Sequence, residues 1–380
     1  MNICMFLMTE FIHDARVTKE SRSLINAGNS ITLIALKDDT VSEFEIRESI
    51  IIRRIKLFTR HILPKGTIFF FIKYLEFVLR SVYSTKNATF DVYHAHDLET
   101  LPIAFILSKL NNKPLIYDSH ELYVDCVQHG KVQRMVWYQI EKFLAPRTTM
   151  NIMETQSRAN VFAQRYKIAS PHVIMNCQYL NIENNTNFLR QNLGIPESIK
   201  IIIYQGQIAP SRGVDIIIEA VKSLPDVVLV LIGHGPYRFE LRKKVDPKVL
   251  DKTVFILDPV PWEELAKYTA SADLGIFALQ NDSPHYYYAL SNKIFEYLSA
   301  GLPIVFSDFP EMRKVIVENN VGRVVNEKKP SDIAGAIREI LSNPKLYHQM
   351  SENAIKTVKE KYNWHIESEK LLNLYNSINL

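Results

Sequence analysis

The sequence is poor in cysteine and contains no long apolar run. Three cysteines, Cys4, Cys126 and Cys177, are spread over 380 residues. Their odd number and wide separation argue against a disulfide framework and favour a reducing compartment. The first ten residues lack the basic flank of a signal peptide, and no stretch of roughly 18 apolar residues occurs. The sequence therefore predicts a cytoplasmic protein without a membrane-spanning helix.

Acidic residues are scarce in one region, which holds most of the excess positive charge. The formal net charge is +4, whereas residues 47–86 alone contain nine Lys or Arg and two acids. Within this region, residues 67–83 predict a helix with only a narrow polar stripe. Two interpretations are open: a helix buried between layers after a solvated basic loop, or a patch on an anionic membrane at the inner face of the cell membrane. The aromatic residues are packed together rather than spaced between charges, which argues against nucleic acid.

Short β-branched runs alternate with longer amphipathic stretches along the chain. Most of these runs are continuously apolar, as is typical of parallel strands covered on both faces. The predicted strands are 2–8, 31–36, 91–95, 114–118, 149–153, 172–175, 201–205, 227–232, 253–257, 273–278, 303–306 and 322–325. An Asn-rich segment, 181–198, interrupts the pattern and predicts a boundary between two doubly wound α/β domains, 1–180 and 198–363. In such domains ligands bind at the carboxyl ends of the strands, here in a cleft between the two domains.

Residues 289–305 contain a lysine where a helix favours an anion. Ser291 is expected to cap a helix that ends before Gly301, which puts Lys293 in the first turn. This placement opposes the helix dipole unless an anion occupies the helix N-terminus. Glu296, one turn further, could accept hydrogen bonds from a vicinal diol such as a ribose. An ordinary surface ion pair between Lys293 and Glu296 would explain the same spacing.

Two glycine-containing segments favour the anion interpretation. Residues 201–220 predict a strand, a loop and a helix that begins near Val214, with Arg212 placed to fork onto a diphosphate. Residues 230–236 place two further glycines after another strand, where a nucleotide could approach the backbone closely. The four glycines are Gly206, Gly213, Gly233 and Gly235.

Together these segments resemble the retaining nucleotide-sugar glycosyltransferases of family four. The resemblance extends to residues 14–21, 91–97 and 115–123 in the first half of the chain and to residues 362–375 near its end. It implies the GT-B fold, an α/β architecture of two doubly wound Rossmann-like domains facing a cleft. It further implies that 1–180 is the acceptor side, that 198–363 binds the donor, and that a closing helix, 364–380, packs back onto the first domain.

The resemblance also implies roles for individual residues. Arg212 matches a pyrophosphate-binding lysine, Glu296 an acid that binds the donor ribose, and His120 a histidine beside the transferred sugar. Asp14 and Arg16 match the loop on the acceptor side. The expected catalytic residues are His120, Arg212, Lys293 and Glu296, and the expected donor-binding residues are Gly206, Gln207, Gly213, Gly233, Gly235, Tyr288, Ser291 and Asn292.

Two positions depart from the family pattern. Tyr288 replaces an acid that often contacts the sugar, and Gln207 replaces a second pyrophosphate-binding cation. Lys293 could supply the charge that is missing at Gln207. The identity of the sugar is what these substitutions leave open.

The sequence therefore predicts transfer of a hexose from a nucleoside diphosphate sugar to a glycan or lipid-linked acceptor, in surface polysaccharide or glycoconjugate synthesis. A UDP-sugar is slightly favoured over a GDP-sugar as donor, and no metal or separate cofactor is expected. Arg212, Lys293 and the helix N-terminus would stabilise the negative charge of the leaving group. A leaving phosphate oxygen would help to deprotonate the acceptor, so the paired carboxylates of glycosidases are not required.

Three alternatives compete with this prediction. His94, His96 and His120 follow neighbouring strands and could bind a metal in a hydrolase. A nucleotide-sugar epimerase shares the two-domain architecture. A non-catalytic membrane adaptor could retain the fold without the activity.

Overall fold

The computed structural model describes residues 1–12, 14–64, 66–126, 130–180 and 186–378. It divides into two compact units. One comprises Met1–Asn176 together with Glu367–Leu380, and the other comprises Cys177–Ile366. Residues 181–185 of the predicted boundary segment and Lys65 of the basic region lie outside the described residues. The rest of the boundary segment contains a helix, Phe188–Leu193, that belongs to the second unit.

The first unit is built on an eight-stranded sheet with the order β3-β4-β2-β1-β5-β6-β7-β8. All neighbouring strands are parallel except β3 and β4. The strands are β1 (Asn2–Phe6), β2 (Ser30–Leu36), β3 (Phe44–Arg47), β4 (Ile50–Ile55), β5 (Val92–His96), β6 (Leu115–Ser119), β7 (Met150–Met153) and β8 (His172–Val173). The helices are α1 (Ala15–Asn26), α2 (Thr59–Ile62), α3 (Thr67–Thr85), α4 (Leu101–Asn111), α5 (Lys131–Leu144) and α6 (Gln156–Tyr166).

The second unit is built on a six-stranded parallel sheet with the order β11-β10-β9-β12-β13-β14. Its strands are β9 (Lys200–Gln205), β10 (Val227–Ile232), β11 (Val254–Leu257), β12 (Leu274–Phe277), β13 (Ile304–Ser307) and β14 (Gly322–Val325). The helices are α7 (Phe188–Leu193), α8 (Val214–Val221), α9 (Tyr237–Lys244), α10 (Trp262–Thr269), α11 (Pro284–Tyr287), α12 (Asn292–Ser299), α13 (Pro310–Glu318), α14 (Pro330–Leu341) and α15 (Pro344–Glu360). A last helix, α16 (Trp364–Asn376), begins in the second unit and continues in the first.

Each sheet reverses its strand order at one place. In the first unit this place is β1, which lies between β2 and β5, and in the second it is β9, which lies between β10 and β12. Loops on either side of such a reversal separate, which leaves room for a ligand at the carboxyl ends of the strands. The chemistry of each unit is therefore expected beside β1 and beside β9.

The continuous apolar runs do form buried parallel strands, as the sequence predicts. Every residue of β5, β6 and β10 is buried, as is every residue of β12 and β13. Such strands have no solvent-facing side because helices cover both faces of the sheet. All twelve predicted strands are present, with ends that shift by one to two residues.

The basic region differs from the first of the two interpretations. Instead of a solvated loop it contains β4 with its antiparallel neighbour β3, and the β4 side chain of Arg54 is buried against Glu45. The helix that follows, α3, is not buried between layers, because five large apolar side chains along it are exposed. The prediction of a covered helix after a basic loop is therefore wrong.

Two further observations bear on the cellular setting. None of the helices in the described parts of the chain has the length and apolar content needed to cross a bilayer. The three cysteines are buried and form no disulfide.

Candidate active site

The loops that follow β9 and β10 approach each other so closely that only glycine fits. The Gly206 N–H donates to the carbonyl of Ile232 at 2.8 Å. A Cβ atom on Gly233 would lie 1.6 Å from the Gly206 carbonyl oxygen, and one on Gly235 would lie 2.5 Å from that of Ile208. Contact between two protein backbones thus explains both glycines, and a nucleotide is not needed to explain them.

A third glycine sets the turn that carries Arg212. Gly213 has a φ of +71°, and a Cβ there would lie 1.9 Å from the carbonyl oxygen of Ala278. α8 begins at the next residue, Val214, as predicted. The single 3₁₀ turn before it, Pro210–Arg212, therefore lies against the residue that follows β12.

Arg212 has polar and aromatic neighbours but no acidic partner. Its Nη2 donates to Gln207 Oε1 at 3.3 Å, and its guanidinium carbon lies 5.0 Å from the centre of the Tyr286 ring. Among the described residues, no carboxylate forms an ion pair with it. Its positive charge is therefore not neutralised by an ion pair within the described residues.

Lys293 lies in the first turn of α12 and is surrounded by apolar groups. Its Nζ is 4.3 Å from the centre of the Phe277 ring and 5.7 Å from that of Tyr204. Burial and the nearby charge of Arg212 lower the pKa of Lys293 to about 8, although Glu296 opposes this shift. In the part of the chain that the structure describes, no carboxylate pairs with this ammonium, so the ordinary ion pair with Glu296 does not form.

The N-terminus of α12 has unused hydrogen-bonding groups. Ser291 occupies the N-cap position, as predicted, but its side chain makes no capping hydrogen bond. The backbone N–H groups of Ser291, Asn292 and Lys293 have no acceptor among the described residues. The Asn292 Oδ1 atom is buried and also lacks a partner there. The three N–H groups and the two cations form an electropositive site suited to an anion, whereas Asn292 Oδ1 is an acceptor and would need a donor such as a hydroxyl.

Glu296 is held by a glutamine that the sequence prediction missed. The Nε2 of Gln205 donates to Glu296 Oε2, and the Oε1 of Gln205 accepts from Thr269 Oγ1 at 2.7 Å. The Gln205 N–H donates to the hydroxyl of Tyr297 at 3.1 Å. Gln205 is buried at the carboxyl end of β9, directly after the apolar run Ile201–Tyr204. A polar residue at that position was the signal that could have identified it.

Tyr288 follows a short helix, α11. Its ring lies 5.0 Å from that of Tyr287, with the two planes at 73°. An aromatic pair thus occupies the place where the resemblance implies an acid.

In the first unit, His120 is held between two carboxylates beside β5 and β6. Its Nδ1 lies 3.2 Å from Asp97 Oδ2, and its Nε2 lies 3.3 Å from Asp118 Oδ2. Burial opposes protonation, but the two carboxylates outweigh it and raise the pKa of His120 well above its ordinary value. At neutral pH His120 is therefore an imidazolium that donates from both nitrogens, with about a fifth of its side chain exposed.

Arg16 and Asp14 both have partners within the first unit. Arg16 is buried, donates to both carboxylate oxygens of Asp118 at 2.9 Å, and donates to the Ile174 carbonyl at 2.8 Å. Asp14 is the N-cap of α1 and accepts a hydrogen bond from the Val17 N–H at 2.9 Å. The contacts of both residues are those of structural groups.

A compact cluster beside Arg16 has the residue types of a metal site. Ligand atoms of Glu20, His94, His96 and Asp118 lie within 4.8 Å of one another, and all four residues are buried. The rings of His94 and His96 stack at 4.2 Å on one face of β5, as the spacing predicts, and their Nε2 atoms lack partners among the described residues.

The guanidinium of Arg16 occupies the same cluster. Its Nε lies 3.0 Å from Glu20 Oε1 while it also binds Asp118. Burial lowers the pKa of His94 and His96, and burial together with Asp118 raises that of Glu20 to about 8. Neutral groups and one paired arginine thus supply the charge balance that a metal ion would otherwise provide.

The sequence of this chain is similar to those of known proteins. Residues 185–357 match the family described as Glycosyl transferases group 1. The chain is similar to an alpha-D-kanosaminyltransferase from Streptomyces kanamyceticus, with 28% identity over 50% of this chain and 49% of that relative. The match thus spans about half the length of that relative.

Solved structures resemble the chain over almost its whole length. A sucrose-phosphate synthase from Thermosynechococcus elongatus superimposes with a TM-score of 0.82 at 18% identity, covering 99% of this chain and 98% of the other. HepE from Anabaena, solved in complex with UDP and glucose, superimposes with a TM-score of 0.78 at 17% identity, covering 100% of both chains. At these identities the likeness concerns the fold.

Proposed function

We propose that this chain, which carries a glycosyl transferases group 1 domain in residues 185–357 and has the GT-B fold, transfers a hexose from a nucleoside diphosphate sugar with retention of configuration. The observation that carries the proposal is the electropositive site at α12. Arg212 and Lys293 approach it without an acidic partner in the described chain, beside three unused backbone N–H groups. Only an anion would complete this set of groups.

The donor is expected to bind in parts. The diphosphate would accept hydrogen bonds from the N–H groups of Ser291, Asn292 and Lys293 and would pair with the Arg212 guanidinium. The ribose diol would donate to Glu296, whose carboxylate Gln205 already orients. UDP is favoured over GDP, as in the sequence prediction, and the structurally similar HepE was solved with UDP and glucose.

The same groups would promote departure of the nucleotide. Negative charge grows on the leaving diphosphate, and preorganised cations and N–H groups stabilise it most strongly in a partly buried site. Lys293 would then provide the charge that is missing at Gln207. No metal ion or separate cofactor is required in this scheme.

His120 stays a predicted catalytic residue. Because Asp97 and Asp118 hold both of its ring nitrogens, it would act as a fixed charged group and not as a free general base. The proposed acceptor is a glycan or a lipid-linked molecule, and the proposed setting is surface polysaccharide synthesis in the cytoplasm.

A donor screen followed by one matched pair of variants tests the proposal. UDP- and GDP-hexoses are compared for thermal stabilisation, and the one that stabilises is titrated into Glu296→Ala by calorimetry. We expect affinity to fall about tenfold, because hydrogen bonds to a carboxylate contribute about 1.5–3 kcal/mol. Glu360→Ala, at an exposed glutamate on α15, is the control and should bind like the parent. Unchanged affinity in Glu296→Ala would refute the ribose assignment.

The cluster of Glu20, His94, His96 and Asp118 favours a metal-dependent hydrolase as the second candidate. Purified protein with one equivalent of zinc, together with activity that a chelator removes, would support it. Sugar transfer that persists after chelation would reject it.

A further inference from the structure

Three neighbouring helices of the first unit expose large apolar side chains toward solvent. On α3 these are Ile68, Ile72, Leu75, Leu79 and Tyr83, between 44% and 74% exposed. Their spacing of three or four residues places them on one side of the helix. α4 adds Ile106 and Leu110, and α5 adds Val132, Met135 and Phe143. We call these ten side chains the α3–α5 face.

The helices of this face pack against one another. Trp137 of α5 is fully buried, and its ring lies 5.1 Å from that of Tyr74 and 6.4 Å from that of Phe71, both on α3. The buried side of each helix is therefore satisfied within the unit. The exposed apolar side chains are not part of this core, and large apolar side chains exposed together on neighbouring helices are typical of an interaction site.

The three helices have a net positive charge. Their bounds contain six cations and two acids, and both acids have partners. Glu141 is buried and accepts hydrogen bonds from the Tyr117 and Tyr166 hydroxyls. Glu76 accepts from the N–H groups of Phe58 and Thr59 and pairs with Arg80. The cations are Lys73, Arg80, Lys109, Lys131, Arg134 and Lys142.

We propose that the α3–α5 face docks on an anionic lipid bilayer. Apolar side chains between long basic side chains are the pattern of a surface that enters the headgroup region, where the cations meet lipid phosphates. The aliphatic part of a lysine or arginine side chain can lie along the apolar surface while its charge reaches outward. On this face the Lys109 ammonium lies 5.5 Å from the centre of the Phe105 ring, and the Lys142 ammonium lies 5.8 Å from that of Tyr138, so both cations lie beside aromatic side chains of their own helices.

The residues of the α3–α5 face differ in part from the basic region that the sequence indicates as a membrane patch. In the basic region 47–86, Arg54 pairs with Glu45 and Arg60 pairs with Glu10, so these charges are largely compensated within the unit. The apolar side of α3 becomes the main contact, and the cations of α4 and α5 extend it. The proposal does not depend on the glycosyl-transfer proposal, because its test measures only binding.

Co-sedimentation with vesicles tests the docking surface. Vesicles of phosphatidylcholine and phosphatidylglycerol in equal amounts are compared with phosphatidylcholine alone. The parent chain should bind the anionic vesicles at least about tenfold more tightly, and Leu75→Asp and Leu79→Asp should each reduce that binding about tenfold. Both side chains are more than half exposed, so neither change removes core packing.

Phe239→Asp provides the matched control. Phe239 is 61% exposed on α9 of the second unit, and its replacement should leave vesicle binding unchanged. Equal loss in Phe239→Asp, or binding that does not differ between the two vesicle types, would overturn the proposal. A monomer–dimer equilibrium that Leu79→Asp abolishes, without any vesicle binding by the parent, would assign the face to a second copy of the chain and would likewise overturn it.

Discussion

The two units are equal in length and similar in architecture, but the cations of their candidate sites differ in whether they have carboxylate partners. In the first unit Arg16 and His120 lie beside β5 and β6, and carboxylates hold both of them. In the second unit Arg212 and Lys293 have no carboxylate partner in the described chain. A poorly solvated charge without a partner costs stability. The first arrangement is explained by folding alone, whereas the second is what we expect of the anion site proposed above.

The units also differ in their apolar surface. Fifteen of the nineteen exposed large apolar side chains among the described residues belong to the first unit. The second unit covers its apolar groups almost completely and exposes charge instead. This contrast agrees with the two partners that we propose, a lipid surface for the first unit and a small anion for the second.

The largest expected effect comes from breaking the charge pairs of the first unit. Arg16→Met should lower the free energy of unfolding by about 3–5 kcal/mol, because it removes the buried guanidinium that pairs with Asp118 and Glu20. Urea denaturation measures this loss. The control is Arg22→Met, which removes an exposed pair with Glu48 and should cost no more than about 1 kcal/mol. Similar losses in both variants would mean that burial of the pair is unimportant.

For Lys293 of the second unit, we expect a substitution to weaken ligand binding without lowering the stability of the fold. Lys293→Met should weaken UDP or GDP binding by about 1.5–3 kcal/mol, since it removes a charged hydrogen-bond donor. The ligand-free protein should not lose stability, because Lys293 has apolar neighbours and no acidic partner. Calorimetric titration and thermal unfolding measure the two effects. A variant that unfolds more easily and binds normally would show that Lys293 is structural.

The pH dependence of nucleotide binding provides a further test of the role of Lys293. The pKa of Lys293 is lowered from 10.5 to about 8, so the folded chain loses this proton as the pH rises through 8. Nucleotide affinity should then fall above pH 8, by at most about tenfold per pH unit. Binding near pH 8.5 should take up a proton, which titrations in buffers of different ionisation enthalpy detect.

Folding stability is expected to change with pH in the opposite direction to nucleotide affinity. Between about pH 8 and 10.5 the unfolded chain holds the Lys293 proton more tightly than the folded chain, so the contribution of Lys293 to stability rises with pH. In Lys293→Met both the proton uptake on binding and this contribution should vanish. Proton uptake that persists in the variant would assign the titration to another group.

The smallest expected effect concerns Gln205. Gln205→Leu should weaken binding of UDP by about 0.5–1.5 kcal/mol, because Glu296 loses the hydrogen bond that orients it. Binding of 2′-deoxy-UDP should change less, so the preference for ribose should shrink. Gln191→Leu, at an exposed position on α7, should leave the preference intact. An equal loss for both nucleotides would mean that Gln205 acts only through the fold.

The strands and the helix that carries Lys293 could be predicted because local patterns determine them. Runs such as Val227–Ile232 have no polar side chain and can only be covered strands. The exceptions are β3 and β4, and β4 carries Arg53 and Arg54 among its isoleucines. These two strands form a hairpin, and β4 also pairs with β2, which lies apart in sequence, so no local apolar run identifies them.

The charged residues of the candidate site could be predicted from the sequence, but their contacts could not. The unfavourable position of Lys293 relative to its helix was visible in the sequence. The hydrogen bond of Gln205 to Glu296 spans 91 residues, and the approach of Gly233 to Gly206 depends on two loops meeting. Such pairings arise from tertiary packing, so a glycine or glutamine alone does not reveal its neighbour.

The course of α16 has a consequence for the order in which the protein can fold. The first unit includes Glu367–Leu380, and Tyr375 in this segment hydrogen-bonds to the buried His94 at 2.7 Å. During synthesis the second unit has all of its residues as soon as Ile366 has emerged, although translation of it starts later. The first unit therefore begins synthesis first but is completed last, because His94 has no contact with Tyr375 until α16 has been synthesised.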